Sequence, residues 1–218
     1  MKIVGLTGSI ATGKSTVAGW IRQLGIPIHD ADAVVHQLLG VGGDAVEPIL
    51  ALYGPAAGSS VGGIDRKAVG DLVFAAPERR RKLEAILHPM VRAHRDDFLA
   101  VHRQKDASVV VLDIPLLFET GGDQICDYVI VVHAKTETLM DRALARPGMT
   151  RDKLNGILAS QMPMADKMAR ADLLLDTDLA PIDTKRQLEA WLDKLKMADA
   201  KSDNTQSADT KISKEGGA

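Results

Sequence analysis

Gly8 and Gly13 bracket four residues and are followed at once by Lys14 and Ser15, so residues 8–15 match the pattern G-x-x-x-x-G-K-[ST]. These residue types at this spacing suit a nucleoside triphosphate. Glycine permits backbone angles and close approaches that a Cβ would obstruct, so successive N–H groups can turn toward one anion. A helix opening at Gly13 adds its orphan N–H groups and its positive dipole end. Lys14 then reaches the β- and γ-phosphates, and the Ser15 hydroxyl is a hard oxygen donor for Mg²⁺. The candidate nucleotide-binding set is Gly8, Ala11, Thr12, Gly13, Lys14, Ser15 and Thr16.

Further chemistry needs acids and cations near the phosphates. Asp113 ends the apolar run Val109-Val-Val-Leu, the place of a second acid for Mg²⁺; pairing with a lysine or capping a loop is its other reading. Asp30 and Asp32 stand two apart, and on an extended chain they point the same way. Such a pair can share a metal or divide into base and helper, and a base is worth about 10²–10⁴-fold in rate. Capping the next helix is the alternative. Arg142 and Arg146 are spaced i, i+4, so one helix would carry both on one face, and a planar guanidinium fork suits phosphate. Arg151 and Arg170 are further cations. Closure over such a site keeps water from taking the phosphoryl group. His88, before Pro89, reads from its context alone as a core residue satisfied by a hydrogen bond. Met162, Met164 and Met168 read as adaptable packing in a lid.

The elements that must position these residues follow from periodicity. Ile3–Leu6 reads as a buried strand, and Val17, Trp20, Ile21 and Leu24 give the following helix one apolar stripe. A short strand, 26–29, ends in Asp30-Ala-Asp32. Residues 33–107 read as mostly helical: Asp32 caps a helix, 40–43 break it, a helix starts near Asp44, residues 54–63 form a mobile surface loop, Asp65 and Pro77 open two more helices, and His88-Pro89 interrupts the second. Strands return at 108–115, 128–133 and 172–176. Helices are expected at 136–145 and, capped by Thr150, at 150–161. Thr184 and Gln187 fit a capping box for a helix through Leu195. From Ala198 the composition is small and polar, with Ile212 the only large aliphatic, and disorder is expected. Strands alternating with helices predict an α/β protein with a mostly parallel sheet. Ligand should sit outside the strands' carboxyl ends, where the glycine loop, Asp30-Ala-Asp32 and Asp113 all fall.

Composition excludes little else. The chain has 218 residues, 45% apolar and 26% charged, with net charge −2, so no global basic footprint for nucleic acid exists. No apolar stretch reaches membrane-spanning length and no secretory pattern precedes the first strand. The single cysteine, Cys126, beside an apolar run, reads as a buried inert thiol. A cytoplasmic, reduced setting is expected.

Taken together, Gly5-Leu-Thr-Gly-Ser-Ile-Ala-Thr-Gly-Lys-Ser-Thr16, Asp30-Ala-Asp32, His88-Pro89, Asp113-Ile-Pro-Leu-Leu-Phe-Glu119 and Gln161 closely resemble the dephospho-coenzyme A kinases over residues 1 to about 195. The glycine loop alone specifies only a nucleotide-binding class; the two acidic segments are far more specific. The resemblance implies a three-layer P-loop kinase fold with a core of residues 1–32, 108–135 and 171–197, a helical acceptor-binding region at 33–107 and a lid at 136–170, beside a tail at 198–218. It implies transfer of the ATP γ-phosphate to the ribose 3′-hydroxyl of dephospho-CoA, giving CoA and ADP, by a monomer using Mg²⁺. Asp32 would be the base, with Lys14 and Arg142 as catalytic cations. Asp30, His88, Leu116, Glu119, Arg146 and Gln161 would line the acceptor side, and Ser15 and Asp113 would hold the metal. The chain departs from the family pattern at Asp176-Thr-Asp178 and in Met162-Pro-Met164 after Gln161. Another small-molecule kinase acting on AMP, CMP or shikimate, and a nucleotide-dependent switch, stay open beside this reading, although no Asn-Lys-x-Asp guanine motif occurs.

Overall fold

The computed structural model describes residues 1–74 and 76–212. In chain order, β1 (Lys2–Gly8) is followed by α1 (Lys14–Gln23), β2 (Ile28–Asp30), α2 (Ala31–Leu38), α3 (Val46–Tyr53), α4 (Arg66–Phe74) and α5 (Pro77–Gln104). Then come β3 (Val109–Asp113), β4 (Tyr128–His133), α6 (Thr136–Leu144), α7 (Arg151–Ala159), α8 (Met164–Ala169), β5 (Leu173–Asp176) and α9 (Pro181–Ile212).

The five strands form one sheet in the order β2-β3-β1-β4-β5. The pairs β1–β3, β1–β4 and β4–β5 are parallel. β3 is buried along its whole length and β1 from Ile3 onward, as a parallel sheet covered on both faces demands. On one face Val4, Leu6, Ile130 and Val132 pack against Val17 and Ile21 of α1 and Leu188 and Leu192 of α9. On the other, Val129 and Val131 meet Leu117, Phe118 and the side chains of Met162, Met164 and Met168. The fold is thus three-layered α/β. The three methionines are partly buried and pack against this face of the sheet. Register brings Leu6 opposite Asp113, Gly8 opposite Val132 and His133 opposite Asp176, so the carboxyl ends of β1, β3, β4 and β5 share one edge.

The chain separates into two compact units, residues 1–29 with those from 102 onward, and Asp30–Val101. The second unit holds α2 to α4 and most of α5 around its own core of Val34, Leu38, Ile49, Ala57, Ile64, Val69 and Leu87. Asp65 caps α4, its Oδ1 accepting from Lys67 N at 2.9 Å and Ala68 N at 3.0 Å.

Several expectations need correction. α2 begins at Ala31 and its cap is Asp30, whose Oδ1 accepts from Ala33 N at 3.0 Å; Asp32 is not the cap. Residues 54–63 are not a loose loop. A 3₁₀ turn buries Ala57, Gly58 bridges to Ile64, and Asp65 N donates to Ala57 O at 2.8 Å. α5 runs unbroken through Pro89, because one missing N–H is offset by the packing of Leu83, Ile86, Leu87, Met90 and Val91 on either side of it. Thr184 caps nothing: α9 has already started at Pro181, and the Thr184 hydroxyl donates to Asp176 O at 2.7 Å. α9 continues to Ile212 across residues expected to lack order; residues 213–218 lie outside those described. Among the described residues no helix is long and apolar enough to cross a membrane.

Candidate active site

β1 ends at Gly8, where an added Cβ would lie 2.6 Å from Val132 O and 2.7 Å from Thr12 Oγ1. Only glycine fits this crossing of loop and strand. Thr12 is fully buried and its hydroxyl donates to Ser9 O at 2.9 Å, fastening the loop to itself. Ala11 and Gly13 both adopt positive φ, 61° and 91°, which bends the loop about Thr12 in the manner of an anion nest. Ala11 holds this strained angle because it packs with Leu139 and Ala143 of α6 and Leu154 of α7. No side chain caps α1, so its first N–H groups stay available to an anion.

Lys14, the first residue of α1, and Asp113, the last residue of β3, meet. Lys14 Nζ lies 2.5 Å from Asp113 Oδ1, with the lysine side chain 17% and the aspartate 4% exposed. Of the two readings of Asp113, the lysine pairing is the one this contact shows, and the lysine is that of the phosphate loop. The turn after β3 is anchored to β1 by Ile114 N donating to Leu6 O at 3.0 Å and the buried Thr7 hydroxyl donating to Pro115 O at 2.9 Å. Ser15 and Thr16 are exposed at the head of α1. Among the described residues no group of three His, Cys, Asp or Glu side chains is placed to hold a metal. The Ser15 hydroxyl and the Asp113 carboxylate are hard donors of the kind Mg²⁺ takes when it keeps most of its waters.

Arg142 is committed to the loop after β5. Its Nη1 donates to Thr177 Oγ1 at 2.9 Å and its Nη2 to Thr177 O at 2.8 Å. The Thr177 hydroxyl donates to Thr12 O at 2.8 Å, and its methyl would meet a Cβ on Gly13 at 3.2 Å. Asp178 Oδ2 accepts from Lys135 N at 2.6 Å. That amide and the Thr138 hydroxyl hold the Asp178 carboxyl below its ordinary value. Asp176-Thr-Asp178 is thus a built wall beside the phosphate loop. Sequence reasoning flagged it only as a departure from pattern and gave Thr177 no role. Arg146 does not share a helical face with Arg142, because α6 ends at Leu144 and Arg146 sits exposed in the turn beyond. Arg170 stacks 4.2 Å from the Phe118 ring centre and pairs with Asp123 at 2.5 Å, and Arg151 is exposed at the start of α7.

The remaining acceptor-side candidates divide between the units. Gln161 Oε1 accepts from the Ser9 hydroxyl at 2.6 Å. Leu116 is half-buried and its carbonyl accepts from the Thr120 hydroxyl at 2.8 Å. Glu119 turns inward, accepting from Met162 N at 2.7 Å and facing Lys167 Nζ at 2.8 Å. Burial pushes the Glu119 carboxyl up, but Lys167 and the Met162 amide together outweigh it and leave it below the usual value. In the second unit, Asp32 is exposed in the first turn of α2, and its helical backbone replaces the extended geometry expected for the acid pair. His88 is exposed on α5, so it is not a core histidine.

A family model described as CoaE, dephospho-CoA kinase, matches residues 2–181. A dephospho-CoA kinase of Rhizobium meliloti is 47% identical over 90% of this chain and 99% of that protein. One of Paramagnetospirillum magneticum is 52% identical over 77% of this chain and 78% of that one. Among solved structures, TT1252 from Thermus thermophilus superposes with a TM-score of 0.77 at 34% identity, over 89% of this chain and 97% of that one. The dephospho-CoA kinase of Campylobacter jejuni shares the fold, with a TM-score of 0.63 at 23% identity over 89% and 97% of the two chains. A match running from β1 through the wall after β5, together with a relative of nearly equal length, makes this chain a member of the dephospho-CoA kinase family.

Proposed function

We propose that this kinase transfers the γ-phosphate of ATP to the ribose 3′-hydroxyl of dephospho-CoA, yielding CoA and ADP. The observation that carries the reading is the Lys14–Asp113 contact at the sheet's carboxyl edge, at the head of a helix that no side chain among the described residues caps. Loop amides and the head of α1 bind the β- and γ-phosphates, and Lys14 shifts from Asp113 toward them. Mg²⁺, held by Ser15 and Asp113, supplies charge neutralisation on the phosphates. The acceptor's 3′-oxygen bonds to the γ-phosphorus as the bond to ADP breaks, and its proton passes to the Asp32 carboxylate. Arg142 lies on the donor side through Thr177, and residues 136–170 act as the lid that excludes water. Asp30, His88, Leu116, Glu119, Arg146 and Gln161 make up the acceptor side. The reaction needs one chain, a soluble cytoplasmic substrate and no nucleic acid. Incubating the protein with Mg·ATP and a panel of dephospho-CoA, AMP, CMP and shikimate tests this. Dephospho-CoA is expected to gain the phosphate, and phosphorylation of another member in its place would overturn the acceptor assignment.

A further inference from the structure

Lys167 is fully buried on α8, and the mechanism above gives its side chain no role. Its ammonium stands 2.8 Å from Glu119 Oε1, and the Glu119 side chain is 17% exposed. The contact has ion-pair distance but not hydrogen-bond alignment: Lys167 Nζ and Glu119 Oε2 are both buried and make no hydrogen bond among the described residues. The residues flanking the pair along the chain, Leu117 and Phe118 before Glu119 and Met168 after Lys167, belong to one apolar cluster with Met162 and Met164. A buried pair so short of partners is costly to desolvate, and apolar side chains of similar size would pack there as stably or more so. Stability therefore does not account for the pair.

Position does. Glu119 Oε1, the oxygen that faces Lys167, also takes the Met162 N–H at 2.7 Å. The preceding residue, Gln161, accepts from Ser9 inside the phosphate loop at 2.6 Å. A single chain of contacts runs from Lys167 through Glu119 and Met162 to Gln161 and Ser9. Just past the end of α8, Arg170 pairs with Asp123 and stacks on the Phe118 ring, a second tie between the helix carrying Lys167 and the turn carrying Glu119. We propose that Lys167 and Glu119 are positioning residues for the triphosphate: their pairing fixes the Met162 amide and thereby holds Gln161 against Ser9, setting the shape of the phosphate loop. This rests on the nucleotide-binding reading of that loop; it adds a role toward the triphosphate to the acceptor-side role of Glu119 and Gln161, and it is read with no acceptor present.

The test is Mg·ATP affinity, measured by calorimetry on the full chain, alongside the melting temperature. The variant Glu119→Leu/Lys167→Met removes both charges and the acceptor for Met162 N–H, leaving apolar packing in apolar surroundings. Its melting temperature is expected to hold or rise, while Mg·ATP affinity falls about tenfold, the scale of one lost hydrogen-bonding arrangement. Gln161→Leu alone is expected to weaken Mg·ATP by a similar factor. Adding Glu119→Leu/Lys167→Met to Gln161→Leu should weaken it no further than about twofold, since all act through one contact. Unchanged affinity in Glu119→Leu/Lys167→Met overturns the proposal, as does full additivity with Gln161→Leu. Should the apolar pair not fold, Lys167→Met enters the same cycle with the same deciding outcomes. Wild-type protein that binds no Mg·ATP would overturn the nucleotide reading as well, whereas a failed acceptor assay leaves this measurement untouched.

Discussion

Asp32 illustrates how a spacing of two residues separates a cap from a candidate base. Asp30 spends a carboxylate oxygen on the Ala33 amide, which fixes the start of α2 and leaves Asp32 exposed in the first turn. A carboxylate there is favoured by the helix dipole and is free to meet a sugar hydroxyl. Asp32→Asn should therefore cut kcat about 10²-fold or more with little change in the acceptor KM, the signature of a group used in the transition state. Steady-state kinetics with varied dephospho-CoA would check this, and a pure KM effect would reduce Asp32 to a binding residue. At this scale the sequence was informative wherever backbone motif and side chain coincide, as at Gly8, Gly13 and Lys14. It was silent on Thr177 and Lys167, whose partners lie far along the chain and carry no local spacing to recognise.

Helices and strands were legible where a single face is buried. The stripe Val17, Trp20, Ile21 and Leu24 placed α1, which buries Val17, Ala18 and Ile21, and the continuous run Val109–Leu112 placed the strand beside β1. Element ends were harder to read, because several local signals competed with tertiary packing. Pro89 should stop a helix, yet α5 passes through it with apolar contacts from Leu87, Met90 and Val91. The missing N–H and the ring's crowding of the preceding turn remain a cost. Replacing Pro89 with Ala should stabilise the protein by about 1–2 kcal/mol, the helix gain being partly offset by a less restricted unfolded chain. Chemical denaturation would measure it, and a loss of stability would mean that α5 requires the ring at this position. The Gly54–Gly63 segment erred the other way: its glycines suggested slackness, but buried Ala57 and the Gly58–Ile64 bridge pin it.

At the scale of the whole molecule, two compact units each own a core, and the last apolar contribution to the first comes from Leu195 of α9. The helix continues to Ile212, but residues 198–211 contain no large apolar side chain to dock it. A helical stretch without a buried face is marginal in water. We expect its amides to exchange near the unprotected rate. Deleting residues 198–218 should change stability by less than about 0.5 kcal/mol and leave turnover intact. Hydrogen exchange and a melting curve would decide this, strong protection across 200–212 being the contrary result.

The Lys14–Asp113 contact has a consequence for which anions the empty protein welcomes. Its ammonium is already matched by a carboxylate that is 4% exposed. A bare sulfate or metal-free nucleotide that drew the lysine away would bring a second negative ion toward that carboxylate and take its cation, a costly exchange. A nucleotide that brings its own divalent cation offers the carboxylate a replacement in the same event. We therefore expect weaker binding of lone anions than of a nucleotide chelated to a divalent cation, a preference that titrations with and without Mg²⁺ would reveal.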